Sequence, residues 1–310
     1  MRNVLVGAVE SSLVTLETML TVGVPPLAVV TLQPELGHRH SDFVDLAPTA
    51  NSAAVPVVFV DNVNTPDALR EIRTLKPDYL WVVGWSQLCG QDFLAIPTAG
   101  TIGYHPAPLP KNRGRAVIAW TILQGARSTG STLFWIGEGM DDGDIIAQRS
   151  VPVAPDETAE SLVRKHMEAL SPMVESVINC WRGGSIPSTP QDHSQATYCA
   201  RRVKEDGLVD WTQSAEDVWR FIRAVGKPYP GAFSFMDGLR HTFWSAELHG
   251  PEPVWAQPGQ VISMDDRGPL VQCGDGLHVR LTEIQREDGS SLTPRAVGRR
   301  FAQYRKGFEW

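Results

Sequence analysis

The chain has 310 residues, 42% apolar and 20% charged, enough for two domains with well-packed cores. Its net charge of −7 disfavours a nucleic-acid partner, which calls for a basic face. No apolar run reaches the roughly 20 residues of a membrane helix, and "MRNVLVGAVESS" lacks the apolar core and cleavage site of a signal peptide, so no membrane partner and a cytoplasmic setting are expected.

Residues Asn3–Val9 read as a buried strand, and "LVTLETMLTVGV" follows with helical spacing. Leu27–Leu32 and Val55–Val60 read as the second and third strands. "TPDALREIRTLKP" opens a helix, with Thr65 as N-cap and Pro66 in the first helical position. "DYLWVVGW" and "GTIGYH" are the fourth and fifth strands. Continuous apolar strands alternating with helices predict an α/β fold, a Rossmann-like parallel sheet with flanking helices. Ligands of such sheets sit at the carboxyl ends of the strands, where Glu10, Trp85 and His105 fall. "VGAVESS" replaces the G-x-G-x-x-G of a dinucleotide site, and no Walker-type run occurs, so the sheet serves another ligand.

"GRAVIAWTILQG" (114–125) is apolar on nearly every face and predicts a buried helix stopped at Gly125. "STLFWI" reads as a strand and "GEGMDDGDI" as a loop. "DETAESLVRKHMEALSPMVESVINCW" is a long amphipathic helix with acids in its first turn. The first domain is thus expected over 1–185, and a Gly-, Ser-, Pro- and Gln-rich linker over 186–205. The second domain, 206–310, opens with the helix "SAEDVWRFIRAV" and continues in five short alternating runs, from "GAFSFMDG" to "LHVRLTEI". That pattern predicts a small C-terminal OB-like β-barrel.

Cys89, Cys180, Cys199 and Cys273 form no C-x-x-C pair and are expected to be reduced thiols. The histidines are scattered apart from "HRH" (His38–His40), read as a surface-loop cluster, so no metal is expected.

The residues able to do chemistry are His105 at a strand end, the rigid loop "PAPLPKNRGR" and the acidic loop "GMDDGD". A carboxylate beside an imidazole favours its charged form, so the two can hold or pass a proton near neutral pH. Each piece alone also fits a plain structural reading: a satisfied histidine and a solvated acidic turn. Asp141, Asp142 and Asp144 do not match an EF-hand spacing.

In order along the chain, "x-x-H", "LPxxRGRAxxxW" and "GMDDGDI" resemble the 10-formyltetrahydrofolate-dependent formyltransferase family, which includes methionyl-tRNA formyltransferases and amino-sugar N-formyltransferases. "VDW", "IRAVGKPYPGAFSF", "FWSAEL" and "PGQVIS" look like that family's C-terminal barrel, so the resemblance covers essentially the whole chain. It implies a one-carbon transferase with 10-formyltetrahydrofolate as co-substrate, no metal, and His105 and Asp141 as the catalytic pair. It also implies folate contacts at Trp85, Gln87, Leu88, Cys89 and Arg115, and along Gly137, Glu138, Gly139, Met140 and Asp141. A homodimer is among the expected assemblies.

The family's usual asparagine two residues before the histidine is here Gly103. One oxyanion donor is worth about a hundredfold in rate or more. Three readings stand open: a backbone N–H, Asn112, a water or a substrate group replaces the amide; the glycine makes room for a differently bound substrate; or the protein only binds folate. The acceptor is expected to be a small-molecule amine, foremost a nucleotide-linked amino sugar, because residues 206–310 carry 12 basic against 14 acidic side chains and the loop after the second strand has one Arg and three acids. The basic end "GRRFAQYRKGFEW" reads as a solvated tail. Glu10, Ser11 and Ser12 are candidate acceptor contacts, with a helix-cap role as their plain alternative. A methionyl-tRNA formyltransferase, a 10-formyltetrahydrofolate hydrolase and a catalytically weakened folate binder are the alternatives.

Overall fold

A computed structural model describes residues 1–39 and 42–302. His40 of the "HRH" cluster and the last eight residues of the basic tail lie outside the described residues. The chain divides into two compact units: Met1–Val117, Ser128–Pro152 and Val163–Ala200 form the first, and Ile118–Arg127, Val153–Leu162 and the chain from Arg201 on form the second. The segment expected as a linker is therefore split at residue 200, and two short stretches between the expected first-domain elements join the second unit.

The elements run β1 (Asn3–Val6), α1 (Glu10–Thr21), β2 (Ala28–Thr31), α2 (Ala47–Ser52), β3 (Val57–Phe59), α3 (Pro66–Thr74), β4 (Tyr79–Val82), α4 (Gln91–Leu94) and β5 (Gly100–His105). They continue with β6 (Arg113–Gly114), α5 (Val117–Leu123), β7 (Ser128–Trp135), β8 (Ile145–Pro152), α6 (Ala159–Arg182) and β9 (Tyr198–Cys199). The large sheet of the first unit has the order β3-β2-β1-β4-β5-β7-β8. Its first five strands are parallel, as expected, but β7 runs antiparallel to β5, and β8 pairs antiparallel with β7. β8 was not legible as a strand: it is an edge strand, and Gln148, Arg149 and Ser150 face solvent in its middle.

Period-two alternation sorts the strand residues onto two cores. Leu5, Val29, Trp81 and Ile102 pack with Leu16 and Met19 of α1 and Leu170, Val174 and Val177 of α6. Val4, Val6, Val30, Leu80 and Val82 pack on the other side with Leu69 and Ile72 of α3 and Phe93 of α4. Thr65 caps α3 as predicted, its hydroxyl accepting from the Ala68 N–H. The helix expected over 114–125 spans only Val117–Leu123, because Arg113–Gly114 is extended and Ala116 has φ +55°.

The second unit adds α7 (Ala215–Val225), β10 (Ala232–Met236), β11 (Leu239–His249), β12 (Val261–Asp265), β13 (Gly268–Gln272) and β14 (His278–Arg286). The five strands form an antiparallel sheet ordered β10-β11-β14-β13-β12. Asp237 and Gly238, both with positive φ, make the tight turn between β10 and β11. The segment around residues 298–302 bridges both edges: Arg300 pairs with Gln260 beside β12, and Ala302 pairs with Phe235 of β10. The sheet thereby closes into the expected barrel, around Trp211, Phe243 and Phe301, whose rings lie 5.1–5.7 Å apart. No helix among the described residues is long and apolar enough to cross a membrane.

Candidate functional site

β1, β4 and β5 end on one edge of the sheet, and each delivers a predicted site segment there. β5 delivers His105, which is 5% exposed. Its Nε2 lies 2.7 Å from the Asn112 carbonyl oxygen, so Nε2 carries the proton and donates. That leaves Nδ1 as the free base of the neutral ring. Asp141 Oδ2 stands 3.8 Å from Nδ1, too far for a hydrogen bond but close enough to face a charge formed there. Two residues 36 positions apart in the chain are thus brought together as predicted.

Asp141 is held on three sides. Its own φ is +49°. Its Oδ2 accepts from the Gly114 N–H at 2.8 Å, and its carbonyl accepts from Gln191 Nε2 at 2.8 Å. The same Gln191 amide nitrogen donates to the Gly143 carbonyl at 2.6 Å, and its Oε1 accepts from Arg113 Nη2 at 2.7 Å. Arg113 and Gln191 are both buried. Gly114, with φ +104°, lies where a Cβ would come within 2.5 Å of the Cys199 carbonyl oxygen, so only glycine lets β6 pair with β9. Thr197 accepts from the Asn112 N–H through Oγ1 and from the Arg113 N–H through its carbonyl.

The segment over 191–199, expected to be linker, is therefore a strap across the arginine loop and the acidic loop. Sequence reading missed Gln191 and Arg113. A two-residue strand has no period to detect, and a glutamine among prolines gives no pattern. The only available signal was the first arginine of "RGR", whose partner Arg115 was chosen instead.

Arg115 is exposed and donates to the Ser86 carbonyl, tying the arginine loop to the segment after β4. In that segment Asn64 donates to the Leu88 carbonyl and accepts from the Gly90 N–H. Gln87 donates to the Asp61 carbonyl, while its Oε1 and the Trp85 Nε1 are buried without a partner. Trp85 and Cys89 pack beside Ile136 against the core on this side of the sheet. Burial pushes the Cys89 thiol up to about 12. Leu88 and Met140 are exposed, as are Gly137, Glu138 and Gly139.

Gly103 shares the face of His105, and the space above it is filled. A Cβ there would meet Ile136 at 2.7 Å and the Phe134 ring at 2.9 Å. The reading in which this glycine opens room is corrected accordingly: two apolar side chains occupy that room. At the end of β1, Glu10 is exposed at the first position of α1. Ser12 is wholly buried, donating to the Val83 carbonyl at 2.6 Å and accepting from the Val9 N–H at 3.2 Å. Ser11 is also buried, its hydroxyl turned toward Gly84. Of the three expected acceptor contacts, only Glu10 meets solvent. No group of three or more metal-ligating side chains occurs among the described residues.

Residues 38–178 match the formyl transferase model and residues 202–302 the formyl transferase C-terminal domain. A methionyl-tRNA formyltransferase of Geobacter sulfurreducens is 32% identical over 94% of this chain and 91% of its own. The chain belongs to the formyltransferase family. Formyltransferases are enzymes that move formyl groups. Two solved structures share the fold. An N-formyltransferase from Helicobacter canadensis, in complex with folinic acid and dTDP-3-aminofucose, has a TM-score of 0.69 at 17% identity, over 91% of this chain and 99% of that one. HypX from Aquifex aeolicus, in complex with tetrahydrofolic acid, has a TM-score of 0.66 at 22% identity over 93% of this chain. This formyltransferase spans 44% of the length of HypX.

Proposed function

We propose that the first unit transfers a formyl group from 10-formyltetrahydrofolate to the primary amine of a small molecule, foremost a nucleotide-linked amino sugar. The observation that carries the reading is the pair of His105 and Asp141, with Nε2 bound to the Asn112 carbonyl and Nδ1 turned to the carboxylate. Trp85, Gln87, Leu88 and Cys89, with the loop 137–141, are the residues that would hold the folate; when bound, it supplies an electrophilic formyl carbon. His105 Nδ1 takes the proton that the attacking amine must lose. Asp141 faces the imidazolium so formed, and the strap keeps it there. The same proton is then available to the nitrogen that leaves, so the amine becomes a formamide and tetrahydrofolate departs with no proton gained or lost overall. Gly103 offers no amide, so we assign charge stabilisation at the formyl oxygen to Asn112, whose side-chain oxygen is turned to Thr197 and whose backbone holds His105.

The full-length likeness to a methionyl-tRNA formyltransferase supports methionyl-tRNA as a second acceptor. One assay separates the readings: tetrahydrofolate release from 10-formyltetrahydrofolate with nucleotide amino sugars, small amines, methionyl-tRNA or water alone. Turnover with an amino sugar is expected, and His105→Asn and Asp141→Asn should each lower kcat by about a hundredfold or more. Formate release without an amine would replace the proposal with a hydrolase. Turnover with methionyl-tRNA alone would replace the acceptor.

A further inference from the structure

We infer that the second unit holds a binding site for an oxyanion, the phosphate or carboxylate group of a small molecule, built from none of the residues that form the formyl-transfer site. A cavity of about 550 Å³ lies between the end of α5, the segment 153–157 and α7. That is within the size range of small-ligand sites. Ile122, Ala126 and Val153 give it apolar walls, while Arg127, Arg220 and Arg223 bring positive charge.

Arg223 is the deciding residue. It is only 8% exposed, and its guanidinium lies 3.8 Å over the ring of Trp219. Trp219 is itself fixed by donating to the Ala246 carbonyl at 3.0 Å. Arg223 Nη1 donates to the Glu157 carbonyl at 2.5 Å, whereas Nε is buried without a partner. A guanidinium has five N–H donors, and buried polar groups are normally satisfied. Burial and the neighbouring Arg220 together push this guanidinium down to about 10, against the pull of nearby acids.

Of those acids Asp156 does not line the cavity, while Glu157 and Glu216 line it and are engaged elsewhere. The Glu157 carboxylate accepts from the Ala154 N–H and the Ser161 hydroxyl. Glu216 and Asp217 both bind Arg220, at 2.5 and 2.7 Å. What the cavity lacks is an acceptor for Arg223 Nε, and a planar guanidinium on a fixed ring suits the paired oxygens of a phosphate or carboxylate. Arg127, exposed and lining the same cavity, supplies a second cation.

The inference stands independently of formyl transfer, and its test does not use turnover. Calorimetric titration of the full chain at constant ionic strength, with inorganic pyrophosphate in one arm and citrate in the other, separates a phosphate from a carboxylate ligand. Saturable one-to-one binding is expected in one arm. Arg127→Ala and Arg223→Gln should each weaken it by about tenfold or more, while binding of 5-formyltetrahydrofolate is unchanged. Arg127 is exposed, so its variant keeps the fold and decides the matter even where Arg223→Gln does not fold. No saturable binding of either anion, or binding untouched by Arg127→Ala, overturns the inference.

Discussion

One hydrogen bond decides what His105 can do. Because Nε2 is spent on a backbone carbonyl, the ring presents Nδ1 toward Asp141, and its orientation is set before any substrate arrives. The neighbouring Gly103 is fixed just as firmly, by packing. Gly103→Ala forces a methyl against Phe134 and Ile136, and it should cost about 1–3 kcal/mol, read as a lower denaturation midpoint. Asparagine there meets the same Phe134 ring and Ile136 side chain with a larger group. Cys89 gives a contrasting prediction. Burial raises its thiol to about 12, so the thiolate is scarce at every pH below that. Peptide mapping after iodoacetamide treatment of the folded chain at pH 8 should find Cys89 unmodified, and its labelling would show that the segment after β4 opens.

The strap over 191–199 is the element that makes the two site loops one object. Gln191 joins the backbone of the acidic loop to buried Arg113, and β9 pairs with β6 beside the Gly114 N–H that holds Asp141. Gln191→Ala removes the clamp without touching substrate. The expected result is a fall in kcat of about a hundredfold, the cost of an ångström of misplacement, with far-UV circular dichroism unchanged. A variant equal to the parent would mean that the acidic loop keeps its shape unaided. Legibility differs sharply here. His105, Asp141 and Arg115 were readable because motif residues stand in a recognisable order. The strap was not, because its Gly, Ser and Pro content is that of any connector, and its contacts depend on residues some eighty positions away. Ser12 was misassigned for a related reason: a serine at a strand end reads alike whether it faces ligand or plugs the backbone.

Across the molecule, apolar runs revealed the five parallel strands of the large sheet and all five barrel strands, since burial on one or both faces sets their pattern. The direction of β7 and the existence of β8 escaped, because antiparallel pairing at a half-solvated edge leaves no mark in a run of residues. Barrel closure by residues near 300 escaped too, resting on isolated bridges and one aromatic. Phe301 is 1% exposed and touches Trp211 and Phe243, so Phe301→Ala should cost about 3–5 kcal/mol in denaturant unfolding. A loss under about 1 kcal/mol would show that the barrel closes without it.

Because Gln191 holds the Asp141 carbonyl and β9 pairs with β6 beside it, the order of synthesis matters. A nascent chain paused at the end of α6 has its sheet, its histidine, its acidic loop and the Gly114 N–H that binds Asp141, yet lacks the Gln191 clamp and the β9 pairing. The clamp on the acidic loop can therefore form only after the strap has left the ribosome.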